Sequence, residues 1–165
     1  MRRWGTRLAG VFSLVLLAGC SSKDDEGGAP EASRFQGLWA AQQSSGTDTC
    51  FGDFDSEMIQ FTMRLRAGKA VALEYVSLDQ QDLTHETCVQ GFSIQGSEAT
   101  MAGEQSCFYA AGQDPATGED IMQEVKYTAD HLKVSGDSLE ETGASETTGP
   151  QGTCESTFHL VFKRL

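Results

Sequence analysis

The chain has 165 residues, with 24 acidic against 12 basic side chains and a formal charge of −12. That length suffices for one domain with a real core. So negative a surface repels phosphate, which excludes nucleic acid and anionic lipid headgroups as partners.

At the N-terminus, Arg2, Arg3 and Arg7 precede an apolar stretch, residues 8–17, that is too short to span a bilayer as a helix. Small residues then lead into a cysteine: Leu17-Ala18-Gly19-Cys20. The segment resembles the lipobox of a bacterial lipoprotein precursor. That resemblance implies a signal peptide over residues 1–19, cleavage before Cys20, and three acyl chains of the palmitate kind on the new terminus. Two or more chains hold a protein firmly on a membrane, where one does not. An ordinary secretory signal or an uncleaved anchor would not need a cysteine directly after Leu-Ala-Gly. Ser21 stands where enteric lipoproteins carry an inner-membrane retention aspartate, so the resemblance places the protein in the cell envelope, with the outer membrane favoured. Cleavage removes three arginines and no acid, leaving 146 residues with 9 basic and 24 acidic side chains and a charge of −15. Solubility of a tethered domain accounts for that acidity without a cationic partner.

Residues 20–33 form the lipidated cysteine and a flexible linker rich in charge, Gly and Pro, with no core residue. Its coil would span about 20 Å. The folded domain is expected over residues 34–165, and no internal repeat is visible. A first strand is predicted over 34–42. Residues 58–66 alternate, with Ile59, Phe61, Met63 and Leu65 on one face and Gln60, Thr62, Arg64 and Arg66 on the other, the period of a half-buried strand. Ala67-Gly68 is read as a tight turn into a strand over 69–78, where Val71, Leu73 and Tyr75 are apolar. Strands over 86–95 and 98–107 flank a Gly96-Ser97 turn. Strands over 124–128 and 131–135 flank Ala129-Asp130, and a last strand covers 157–164. Residues 114–123 have room for one helical turn opened by Asp114-Pro115. Residues 136–152, dominated by Gly, Ser, Thr and Glu, read as a mobile loop. The expectation is an all-β domain: eight short antiparallel strands in hairpin order, closed into a small up-and-down barrel.

Enzyme signatures are missing from the sequence. His85, His131 and His159 have no histidine or cysteine at ligand spacing and read as surface or turn residues. Asp53, Asp55 and Glu57 alternate without the EF-hand spacing and read as a solvated loop. No nucleophile elbow, P-loop, Rossmann or zincin motif occurs. Carboxylate pairs are too easily formed by chance among so many acids to signal glycoside hydrolysis. The expectation is a non-enzymatic protein with no metal and no cofactor.

Four cysteines remain after Cys20: Cys50, Cys88, Cys107 and Cys154, at spacings of 38, 19 and 47. An even number in an exported chain means two disulfides, with three possible connectivities. In the first strand, Phe35, Gly37 and Trp39 share a face, and the last strand ends Phe162-Lys163-Arg164. A glycine there permits close approach, and an arginine can stack over the indole. These residues resemble the G-x-W start and terminal arginine of the lipocalin-like (calycin) barrels, without that family's middle Asp-Tyr motif. The resemblance implies a clasp of Gly37, Trp39 and Arg164 sealing one barrel end, with first and last strands as neighbours. It thereby implies Cys50–Cys154, at one end of that strand pair, and Cys88–Cys107, on two arms of one hairpin. A two-residue Gly96-Ser97 turn would place Cys88 opposite Gln105, so the second bridge requires a bulge or a longer turn. The implied function is binding of a small apolar ligand, lined by Phe61, Met63, Leu73, Phe92, Phe158, Leu160 and Phe162, with plain core packing as the alternative for each. The alternative function is a filled barrel that contacts an envelope protein, as a scaffold or protease-inhibitor-like module, through residues 136–152 and 48–57.

Overall fold

The computed structural model describes residues 30–56, 61–149 and 152–165. The predicted signal peptide, Cys20, most of the predicted linker, Glu57 and Ile59 lie outside the described residues. A short 3₁₀ turn, Pro30–Arg34, leads into ten strands: β1 (Gly37–Asp48), β2 (Gly52–Ser56), β3 (Thr62–Ala67), β4 (Leu73–Leu78), β5 (Glu86–Gln95), β6 (Glu98–Met101), β7 (Gln105–Gln113), β8 (Asp120–Ser135), β9 (Ser138–Gly149) and β10 (Gly152–Arg164). Eight of them follow one another around a closed antiparallel barrel, β1-β3-β4-β5-β6-β8-β9-β10, and β10 pairs back onto β1. Closure supplies each of these eight strands with two neighbours, which removes the exposed edges of an open sheet. The two remaining strands are excursions: β2 continues along the β1 edge beyond β3, and β7 continues along the β8 edge beyond β6.

Both predicted disulfides are formed. Cys50–Cys154 ties the β1–β2 turn to β10, and Cys88–Cys107 ties β5 to β7. The second bridge does not join the arms of one hairpin as expected. The Gly96-Ser97 turn has two residues, with Gln95 opposite Glu98. The returning strand then breaks at residues 102–104, where Gly103 has φ +83°, and β7 leaves to pair with β8. The Gln105 side chain holds the break, donating to the Gly91 carbonyl and accepting from the Gly91 N–H, both at 2.8 Å. One amide side chain thus replaces the ladder that the backbone gives up.

Three other expectations are corrected. The turn after β3 is not a tight Ala67-Gly68 pair but spans residues 68–72, with β4 starting only at Leu73; Val71 folds back over Gly68 and Gly91, close enough to exclude a Cβ at Gly68. Ala129-Asp130 is not a turn, because β8 runs through it, with a bulge between Tyr127 and Ala129. Residues 136–152 are not a mobile loop. Gly136-Asp137 makes a two-residue turn, and β9 pairs with β8 on one side and β10 on the other. The single turn expected within residues 114–123 does form, at 114–118, where the Gly118 N–H donates to the Asp114 carbonyl at 2.7 Å; strand then resumes at Asp120.

At one end the barrel is filled. Phe35, Trp39, Met63, Leu65, Leu73, Phe92, Leu132, Leu139 and Phe162 are buried together, and Ala32 of the 3₁₀ turn packs onto them. The chain enters at this end. Burial of each large side chain stabilises by roughly 1.5–3 kcal/mol.

Candidate functional site

The sealed end is built by β1 and β10. Antiparallel register sets Trp39 opposite Arg164, and the guanidinium carbon lies 4.3 Å from the indole centroid. Trp39 Nε1 donates to the Phe35 carbonyl at 2.8 Å. The guanidinium donates to the carbonyls of Arg34 and Gln36, which ties down the entering chain. Gly37 takes φ +137°, and a Cβ there would sit 3.1 Å from Arg164 Nη1. Only glycine meets both demands comfortably. The geometry is a structural clasp with no open chemistry.

Of the seven candidate lining residues, Met63, Leu73, Phe92 and Phe162 are fully buried in the apolar fill, while Phe61 and Leu160 pack against its margin. Phe61 meets Phe162 at 6.1 Å between ring centroids. Phe158 is half-buried farther along the barrel. It lies across Gly143, where a Cβ would come within 2.3 Å of the Phe158 ring.

Beyond the apolar fill the interior turns polar. Tyr75 (β4), Gln90 (β5), Asp130 (β8), and Glu141 and Ser145 (β9) are all buried there. Asp130 and Glu141 are each only 2% exposed and sit diagonally on adjacent strands, since Asp130 faces Gly143 and Leu132 faces Glu141 in the ladder. The β8 bulge is what aims Asp130 inward. In an unbroken strand Tyr127 and Asp130 would face opposite sides, and one extra residue lets both point into the barrel. On β9 the inward positions are Leu139, Glu141, Gly143 and Ser145, so the strand has period-two burial with almost no apolar residue to announce it.

Tyr75 reaches across the barrel and donates to Glu141 Oε2 at 3.3 Å. Tyr109 and Tyr127 share a hydroxyl contact at 3.3 Å. Aromatic faces complete the layer: Tyr75 stacks with Phe92, and Tyr127 meets Phe158 edge-on. Among the described residues no donor completes a hydrogen bond to either Asp130 oxygen. Burial accordingly pushes the Asp130 carboxyl up to about 7, opposed by the Glu141 carboxyl and by the His131 N–H. These two lie short of full partnership, and Glu141 can donate only while it carries a proton. Glu141 is driven well above the ordinary carboxyl range, first by burial and then by Asp130. Burial, with the two acids next, also raises the Tyr75 hydroxyl. Two carboxyls in such a place hold a proton between them in preference to two charges. The layer offers acceptors and aromatic faces, and among the described residues it contains no cation to balance them.

Several described cations pair with acids on the outside. Arg64 and Arg66 pair with Glu86, and Arg66 also with Glu74. Lys126 pairs with Glu104, and His131 and Lys133 approach Glu98. His85 occupies a turn and His159 is exposed on β10; Asp53 and Asp55 are exposed on β2. Asp48 lies near Cys50 and Cys154, but those sulfurs are bridged to each other. Its carboxylate accepts from Ser156 Oγ and from the N–H groups of Cys50 and Phe51, which lower its pKa. Sequence reading missed Asp130 by taking it for a turn residue and Glu141 by taking β9 for a loop. The signal was present as a period of two through Leu139, Glu141, Gly143 and Ser145. No family model, no curated protein and no solved structure matches this chain.

Proposed function

We propose that the chain is a bacterial envelope lipoprotein, anchored through acylated Cys20, whose lipocalin-like barrel binds a small ligand with an apolar body. The leader Leu17-Ala18-Gly19-Cys20 supports the anchor. The closed eight-stranded barrel and the Trp39–Arg164 stack support kinship with the lipocalin-like barrels. One observation carries the binding reading: Asp130 is buried in an aromatic layer of the interior, and among the described residues neither of its oxygens has a completed hydrogen bond. A core that serves stability alone does not retain an unsatisfied carboxyl, which costs several kcal/mol. A site completed by a ligand does. In this reading Phe92, Phe158 and Leu160 contact the ligand body, while Met63, Leu73 and Phe162 support them as fill.

The test is native mass spectrometry of the exported Cys20→Ser chain, before and after denaturing extraction. The substitution releases the protein from membranes if Cys20 is the anchor. An extra mass lost on extraction identifies the ligand class. A bare mass with no uptake of lipophilic probes refutes the binding reading. It favours contact with an envelope protein, for which a second observation speaks: Phe51, Phe108 and Met122, around the end opposite the clasp, are more than half exposed.

A further inference from the structure

We propose that Asp130 and Glu141 form the recognition element of the barrel, and that they take a primary ammonium group carried on an apolar or aromatic body. The inference rests on the ligand-binding reading above and specifies its chemistry. Three features of the layer converge. Asp130 offers two oxygens with no completed hydrogen bond among the described residues, and a primary ammonium brings three N–H donors. Tyr75, Tyr127, Phe92 and Phe158 present aromatic surface around the acids, the lining that favours a desolvated cation. The titratable groups that act within the layer are acids and tyrosines: Tyr75 on β4 touches Glu141, and Tyr109 on β7 and Tyr127 on β8 act on Tyr75; on β6, beside β8, the buried residues are Ala99 and Met101. No described Lys, Arg or His side chain acts on either carboxyl.

A fatty acid would add a third carboxyl to this layer, and an alcohol would leave the charge unbalanced. An ammonium balances it. The overall charge of −12 also concentrates cations near the protein. Access has a structural basis where β8 passes from β6 to β7. Residues 128–130 lie between the two partner strands, and an open cleft of about 520 Å³ is found there, lined by Met101, Gly103, Thr128, Asp130 and Gly143 among others.

Binding is linked to protons. Where Asp130 is protonated, an incoming ammonium releases that proton to solvent, so affinity rises with pH through the range in which Asp130 ionises. The test is calorimetric titration of the exported Cys20→Ser chain with octylamine, octanoate and octanol at pH 6 and pH 8. Octylamine, charged at both, should bind about tenfold more tightly at pH 8 than at pH 6. Octanoate should bind at least tenfold more weakly than the amine. Asp130→Asn should lose both the affinity and its pH dependence, and Glu141→Gln should weaken binding independently, so the result does not hang on one variant. If octanoate or octanol binds as tightly as octylamine and Asp130→Asn changes nothing, the acid pair is not the recognition element, although the barrel still binds ligands. If none of the three binds and no mass co-purifies, the binding reading falls as well.

Discussion

Replacing Asp130 by Asn should stabilise the ligand-free domain at pH 8 and leave it nearly unchanged at pH 4.5. The side chain is 2% exposed, and its carboxyl is raised from 3.8 to about 7. At 1.36 kcal/mol per unit this amounts to about 4 kcal/mol, and to roughly 2–4 kcal/mol once the interior relaxes around the charge. The folded chain holds the proton more tightly than the unfolded chain, so stability is greatest below the unfolded value near 3.8 and falls as pH rises towards 7. Glu141, raised in the same sense, adds to the decline. Asp48 and Asp82, whose values are lowered, act in the opposite direction and only below about pH 4, so they do not disturb the window. Urea unfolding at half-unit steps from pH 4.5 to 8 can be followed through Trp39, the one tryptophan beyond residue 19. The wild type should lose stability across the series, and Asp130→Asn should be close to flat. A wild type whose stability rises towards pH 8, or an Asn variant less stable there, would refute the picture of an uncompensated buried acid.

Substitutions at three further positions probe the frame around the layer. Arg164→Ala removes the indole stack and two charge-assisted bonds to the carbonyls of Arg34 and Gln36, and should cost about 2–3 kcal/mol in denaturant unfolding. Arg164→Lys should recover less than half of that, because an ammonium cannot reproduce the planar fork; full recovery would reduce the clasp to a point charge. Gly143→Ala places a methyl 2.3 Å from the Phe158 ring and 2.6 Å from the Ala129 carbonyl oxygen. It should destabilise by about 1–3 kcal/mol. Gly149→Ala on the same strand, with nothing nearer than 3.8 Å, should change stability by less than about 0.5 kcal/mol. Equal effects at the two glycines would mean that the Phe158 ring does not need the space over Gly143.

The parts of this protein that were legible in the sequence are those governed by local pattern. The alternation through Phe61, Met63 and Leu65 marks a strand because side-chain direction has period two. Gly96-Ser97 marks a hairpin because Gly96 supplies a positive φ, +65°. Strands in hairpin order imply closure, and the pairing of first with last strand implied by the Gly37–Trp39 pattern carries the Cys50–Cys154 bridge with it. The tertiary structure alone decided where local pattern yields to partners. β9 has one large apolar residue, Leu139, facing inward. It is a strand because β8 and β10 saturate its backbone on both sides, and backbone hydrogen bonds do not depend on side-chain hydropathy. Ala129-Asp130 favours a turn by composition, yet paired neighbours hold it extended, and the bulge beside it directs Asp130 inward. The acid pair joins two residues eleven apart in sequence, one read as part of a turn and the other as part of a loop. Sequence fixes which carboxyls exist; only barrel closure removes these two from water and makes them interact.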